Sequence, residues 1–285
     1  MSIEYLALFA RIFLLGYERI GVKELGNSKN GQCADFLLFF TAIFFFIPVL
    51  FFTEVPENLF RLSVIILIPA TIYSLAYIIY VKSLALGEIS LVGPLYNFNV
   101  FFLLFISVIF LNESINLSKI SGILLMFYGA SFLNRNGSIL NSIKSIFADK
   151  ACQLMIMFSI LLAIGRALDR KLVADADPVY YAFILYIQMS FFLFLFNYFN
   201  GNAKKIILLI KERPYLSIIT GAINTYAYLF LLIALKKIEV SIAEPATMFS
   251  MVIAMIIAWF IYGEKIGKRL IGVLIMITGT YLLIK

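Results

Sequence analysis

Two arginines stand where arginine is expensive. Arg11 lies about midway through the first apolar run, with Glu18 two turns later on the same helical face. Arg166 lies inside a later apolar run, with Asp169 three residues on. An arginine at membrane depth costs at least about 2.5 kcal/mol, so it faces a cavity or a partner unless it snorkels to the interface. Both readings stand for each residue. In the first, one or both guanidinia meet a carboxylate or phosphate on a small solute, which their planar donor fork suits.

Around them lie groups that could complete such a site. Tyr73, Tyr77 and Tyr80 fall at i, i+4 and i+7, one face of a helix. At an offset of about 151 residues, Asn224 answers Tyr73 and Tyr228 answers Tyr77. Asn97, Asn99, Gln188, Glu244 and Thr247 add polar atoms on other apolar runs. The tyrosines could face lipid and the amides could bridge helices; a shared polar cavity is the alternative. Glu244 is the expected proton-responsive group, since burial raises a carboxyl pKa. Catalytic chemistry has no such support. The chain has no histidine, no nucleophile–base pair and no metal-ligand cluster, and neither cofactor nor metal is expected. Cys33 and Cys152 suggest no disulfide framework. Gly263-Glu-Lys-Ile-Gly-Lys268-Arg269 is one residue short of a phosphate loop and lacks the Ser/Thr. Glycosylation-like triplets at Asn112 and Asn136 carry no weight by themselves.

The elements that hold these residues are membrane helices. The composition, 63% apolar and 14% charged, leaves too little polar surface for a soluble globule of this length. Apolar runs of about 17–22 residues recur, each long enough as a helix to cross roughly 30 Å of hydrocarbon. They do not alternate as barrel strands would. Ten spans are expected near 3–20, 35–53, 62–82, 89–112, 116–134, 151–169, 179–199, 215–235, 240–262 and 268–284. The third and eighth are the least regular, being interrupted by Pro69 and by polar residues. The first span has no basic leader or cleavage site ahead of it and reads as retained. The net charge of +7 sits in short loops, where it suits anionic headgroups rather than nucleic acid.

The spans form two copies of one unit. Glu88–Glu113 (EISLVGPLYNFNVFFLLFISVIFLNE) returns as Glu239–Glu264 (EVSIAEPATMFSMVIAMIIAWFIYGE), and even Glu18-Arg19 and Asp169-Arg170 keep the offset. Fixed-offset similarity marks a duplicated architecture. The units are 1–134 and 151–285, joined by a polar linker at 135–150. Five helices is an odd number, so the second unit enters the membrane in the opposite sense. Substrate sites of inverted repeats form near the midplane, between the repeats. Pro94 and Pro245 recur about a turn into the fourth and ninth spans, either as simple helix starts or as bends that leave backbone to line a cavity. Glu113 and Glu264 close those spans, either as interfacial carboxylates paired with Lys119 or Lys265, or as structural ties. Gly122, Gly129, Gly272 and Gly279 place two glycines seven apart on the fifth and tenth spans, where small residues allow close packing. The pattern leaves open whether that neighbour is within the chain or in a second protomer, so monomer and homodimer both stand.

The stretches SLALGEISLVGPL…FLNESINLSKISGILLMFYGASFL and IALKKIEVSIAEPA…FIYGEKIGKRLIGVLIMITGTYLLI resemble the EamA-like domains of the drug/metabolite transporter superfamily. The likeness is strongest over 76–134 and 227–284 and is carried by Pro94, Pro245, Glu113, Glu264 and the four glycines. The resemblance implies a secondary transporter with a central pathway between the units and cytoplasmic termini. The charge count points the other way. Loops after odd-numbered spans carry about 14 Lys and Arg against about 7 on the other side, which the positive-inside rule reads as external termini. In the related small multidrug resistance proteins an embedded glutamate binds cation and proton. The equivalent second and seventh spans carry only Asp35 and Asp177, at their starts. The expected activity is therefore alternating-access transport of a small polar, anionic or zwitterionic metabolite across the cell membrane. Membrane lipids are the expected surroundings. Arg11, Tyr73, Tyr77, Asn97, Arg166, Asn224, Tyr228, Glu244 and Thr247 are the expected substrate contacts. A lipid flippase, a cationic drug exporter and a membrane-embedded enzyme are the alternatives, in that order.

Overall fold

The computed structural model describes residues 3–111, 117–133, 138–172, 176–234, 238 and 240–284, with the side chains of 107–111, 139, 170, 171, 240–245, 283 and 284 outside the description. Among the described residues the regular structure is helical. The first unit comprises α1 (Ile3–Gly26), α2 (Ala34–Leu50), α3 (Leu59–Leu86), α4 (Ile89–Val92), α5 (Phe98–Leu111) and α6 (Leu117–Ala130). A connecting helix α7 (Ile139–Ala148) leads to α8 (Lys150–Leu172), α9 (Pro178–Phe199), α10 (Ala203–Glu212), α11 (Pro214–Ala234), α12 (Val240–Tyr262) and α13 (Gly267–Ile284).

Helix packing runs mainly between the units. Helix α1 lies against α11 and α12, and α8 correspondingly against α3 and α5. Likewise α2 lies against α11 as α9 does against α3, while α2 meets α9 and α6 meets α13. Exchanging the repeats leaves this scheme unchanged, as a two-fold relation requires. The main apolar core is a single cluster drawn from both repeats, so the interface between them is the core itself.

Six helices are long and apolar enough to cross a membrane on those grounds alone. Helix α1 is not among them, for a physical reason. Its outward face is apolar, with Tyr5, Leu6, Phe9, Phe13 and Tyr17 exposed, while Glu4, Arg11, Glu18, Arg19 and Lys23 are buried. A helix inside a membrane bundle can turn its charges inward, where partners lie, and its apolar side to lipid. Hydropathy along the chain averages the two faces and misses this.

Several expectations need correction. The fourth span is not one helix: α4 ends at Val92, a 3₁₀ segment runs over Gly93–Asn97 with Pro94 in its first turn, and α5 follows. Helix α12 continues through its own proline, Pro245, without a break. Helix α3 likewise passes through Pro69 unbroken; the proline removes one amide donor, that for the Ile65 carbonyl, a loss that membrane helices tolerate. The linker holds a helix, α7, capped by Ser138 Oγ accepting from Asn141 N at 3.2 Å. The connection between the seventh and eighth spans holds α10. Both helices are short and amphipathic, a pattern lost in a search for long apolar runs.

The glycines of α6 and α13 meet each other within the chain. A Cβ on Gly129 would lie 2.6 Å from Gly272 O, and one on Gly279 would lie 2.8 Å from Gly122 O. The backbones touch, which only glycine allows here.

Candidate functional site

The centre of the molecule is built from two carboxylates at equivalent places in the two repeats, Glu18 on α1 and Asp169 on α8, 151 residues apart. Their surroundings differ. Asp169 accepts from Tyr73 on α3 at 2.5 Å, Tyr181 on α9 at 2.5 Å and Tyr228 on α11 at 3.1 Å. Arg166, one turn earlier on α8, donates to it at 3.4 Å. A carboxylate offers about four acceptor positions, and four donors meet this one, three at Oδ2 and one, Tyr181, at Oδ1. Tyr73 can reach it because α8 has glycine at 165; a Cβ there would lie 2.5 Å from the phenol ring.

Glu18 lies beside a cavity of about 20 Å³. Its polar neighbour on α11 is Asn224, which stands 151 residues from Tyr73 just as Glu18 stands from Asp169. The repeat therefore conserves a carboxylate–partner pair but replaces phenol by amide. Arg11, Arg19 and Arg166 bring three guanidinium groups to the same cavity, and Tyr77, Tyr80, Tyr96, Tyr186 and Tyr228 supply aromatic walls. Arg11 donates to Ala227 O at 2.6 Å. Arg19 donates to Ser250 Oγ at 2.8 Å and to Leu15 O at 3.2 Å, with its guanidinium over the Tyr96 ring at 5.2 Å. Arg166 lies over the Tyr228 ring at 5.5 Å. Such cation–π contacts hold a charge in place where water is scarce. A second small cavity adjoins the first, with Tyr77, Arg166, Tyr186 and Tyr228 lining both.

Of the residues expected at a substrate site, Arg11, Tyr77, Arg166, Asn224 and Tyr228 line the main cavity, and Tyr73 lines its neighbour. The Tyr73, Tyr77, Tyr80 stripe faces the interior; Tyr73 and Tyr80 are buried, and Tyr80 stacks on Phe158 at 4.6 Å. Asn97 and Thr247 are buried but line neither cavity. Both polar atoms of the Asn97 side chain and Thr247 Oγ1 lack partners among the described residues. Gln188 bridges helices instead, donating to Ser63 O at 2.7 Å. The side chains of Glu244 and Pro245, and residue Glu113, lie outside the described residues. Arg19, Tyr96, Tyr181 and Tyr186 carry no local mark of a site in the sequence, and Glu18 and Asp169 stand out there only beside their arginines. The recurrence of Glu18-Arg19 as Asp169-Arg170 was the available signal for the pair of carboxylates.

A second polar group ties the repeats at one face of the bundle. Glu264, in the turn after α12, accepts from Ile89 N at 3.0 Å and Ser90 N at 2.8 Å. Its cation is Lys23 at 3.2 Å, not Lys265. The carboxylate thus caps the first amides of α4, which have no partner inside the helix. Burial works to raise the Glu264 pKa. The hydrogen bonds from Ser90 and Ile89, with Lys23 beside them, outweigh it and hold the carboxyl below the ordinary range. Arg269 joins the tie through Glu88, Ser90 Oγ at 2.6 Å and Leu133 O at 2.9 Å.

No curated protein sequence matches the chain. Among the solved structures that match it, one crystal structure does so with a TM-score of 0.65 at 12% identity, over 99% of this chain and 96% of that one. At that identity the likeness concerns the fold. The model of the EamA-like transporter family matches residues 2–135 and again residues 149–285, one match for each repeat. The chain belongs to the EamA-like transporter family.

Proposed function

We propose that the protein is a secondary transporter of a small polar solute bearing a carboxylate or a comparable anionic group, moving it across the cell membrane by alternating access. The observation that carries this reading is the charge of the central cavity. Arg11, Arg19 and Arg166 bring three guanidinium groups to its wall, where the lining carboxylate among the described residues is Glu18. Guanidinium groups pair with carboxylates through two parallel hydrogen bonds, and the tyrosine walls offer both apolar surface and hydroxyls to the rest of a solute.

The cavity, about 20 Å³, has room for a water or two and not for a metabolite. Loading therefore requires the repeats to move apart, as alternating access demands. The 3₁₀ segment at Pro94 is suited to absorb part of that movement, since it already interrupts the helix in which it lies.

Counterflow in proteoliposomes tests the reading. Vesicles loaded with pooled amino acids, organic acids and nucleotide sugars are offered labelled members of each pool. Exchange of an anionic or zwitterionic solute, lost in Arg11→Ala, is the expected result. Unchanged solute affinity in Arg11→Ala would remove that residue from the site. Exchange of a cation alone would discard the argument from charge. Silence in every pool, with fluorescent lipid crossing between leaflets, would replace the reading by a flippase.

A further inference from the structure

The two central carboxylates are equivalent by position and unequal by circumstance. Asp169 spends its acceptor capacity on three phenols and Arg166. The Glu18 carboxylate has a single neutral hydrogen-bonding neighbour among the described residues, the Asn224 amide. Yet Glu18 is 3% exposed, and its surroundings are cationic. Arg11 and Arg19 face it from α1, and Arg166 faces it from α8. The other titratable groups around it among the described residues are Tyr77 and Tyr80 from α3, Tyr96 from the 3₁₀ segment, Tyr186 from α9 and Tyr228 from α11. Asp169 lies beyond Arg166, which it neutralises.

A carboxylate in that position does what an incoming anion would do: it balances guanidinium charge. Both cannot occupy the same donors, and two carboxylates at close quarters repel. We propose that Glu18 is a proton-binding site linked to solute binding. Ionised, it balances the arginine cluster; protonated, it yields the cluster to the carboxylate of the solute. Each anion that enters is then accompanied by one proton taken from the same side, and the loaded site carries the same net charge as the empty one. Asp169 is assigned no part in the exchange, since three phenols and its own arginine already occupy it. The linkage to solute rests on the transport reading above; the proton site itself does not.

The two parts separate experimentally. In purified protein without solute, the infrared difference spectrum between acidic and alkaline buffer reports protonated carboxyl groups. A titrating carboxylic C=O band is expected that vanishes in Glu18→Gln, moves in Glu18→Asp and persists in Asp169→Asn. A band indifferent to both Glu18 variants would overturn the proposal, as would a wild-type spectrum with no such band. Proteoliposomes holding a pH-sensitive dye and the amino-acid and organic-acid pools then test the linkage. With one proton per anion, apparent affinity should rise on the order of tenfold for each unit fall in pH, with internal acidification during influx. Whatever exchange Glu18→Gln retains should vary less than about twofold over the same range. Acidification that persists in Glu18→Gln would overturn the linkage. Silent pools with the infrared band behaving as expected would sink the transport reading and keep the proton site.

Discussion

Glu18 and Asp169 occupy one position in two copies of the same unit, and comparing them separates what holds the molecule together from what it leaves available. At Asp169 a carboxyl group is buried with an arginine and three hydroxyls, all of which donate to it. At Glu18 a charge is buried with cations on several sides, a cavity in front and an amide where the other repeat has a phenol. Duplication placed both carboxylates at the centre. Divergence at the partner positions, Tyr73 against Asn224, then made one of them a fixed strut and left the other free to exchange. The same divergence recurs at the prolines: the helix around Pro94 breaks and the one around Pro245 does not.

The sharpest way to break this comparison is to neutralise each carboxylate in turn. Asp169→Asn leaves Arg166 without its counterion, and removing one member of a buried pair costs about 3–5 kcal/mol. Glu18→Gln should cost less, since that carboxylate has one amide partner where Asp169 has three phenols and an arginine. Denaturant unfolding in a mild detergent measures both, and equal losses would erase the distinction. A smaller effect is expected from Gly165→Ala. The added methyl would collide with the Tyr73 ring, and overpacking of that kind costs about 1–3 kcal/mol. Most of it should vanish in the Tyr73→Ala background; a fully additive double variant would show that the glycine does not serve the tyrosine.

The smallest effect concerns the tie at the bundle face. The Glu264 pKa is lowered in the folded protein, so its contribution to stability is complete above the ordinary glutamate pKa of about 4.3. That contribution is lost as pH falls through the lowered folded value. Thermal stability of the wild type should therefore decline below that range more steeply than that of Glu264→Gln. Parallel pH curves for the two proteins would show that the tie contributes nothing measurable.

Much of the fold was legible in the residues. The duplication is written as an offset, the membrane as apolar runs of spanning length, and the contact of α6 with α13 as glycines seven apart. The helices α7 and α10 were not, because a short amphipathic helix resembles a polar loop to any method that looks for long apolar runs. The break at Pro94 could not be told from the unbroken helix at Pro245, since both prolines stand at the same place in the repeat. Pro94 leaves the Ser90 carbonyl without its helical amide donor. The 3₁₀ segment it enters is packed on α8, where Ser159 donates to Leu95 O at 3.0 Å, a contact between chain segments that no local pattern encodes.

For the site the division is similar. Arg11 and Arg166 could be singled out because a charge within an apolar run has no local explanation. The tyrosine stripe could be singled out because its period is helical. Arg19, Tyr96 and Tyr186 could not, because each sits in ordinary sequence and gains its role only from what faces it across the interface. The sequence alone therefore determined the spanning helices, their duplication and the presence of buried charge, all of which follow from composition and period along one chain. Only the tertiary structure decided which carboxylate gathers four donors and which faces the cavity, because hydrogen-bond partners are distributed over α3, α8, α9 and α11 and are chosen by packing in three dimensions.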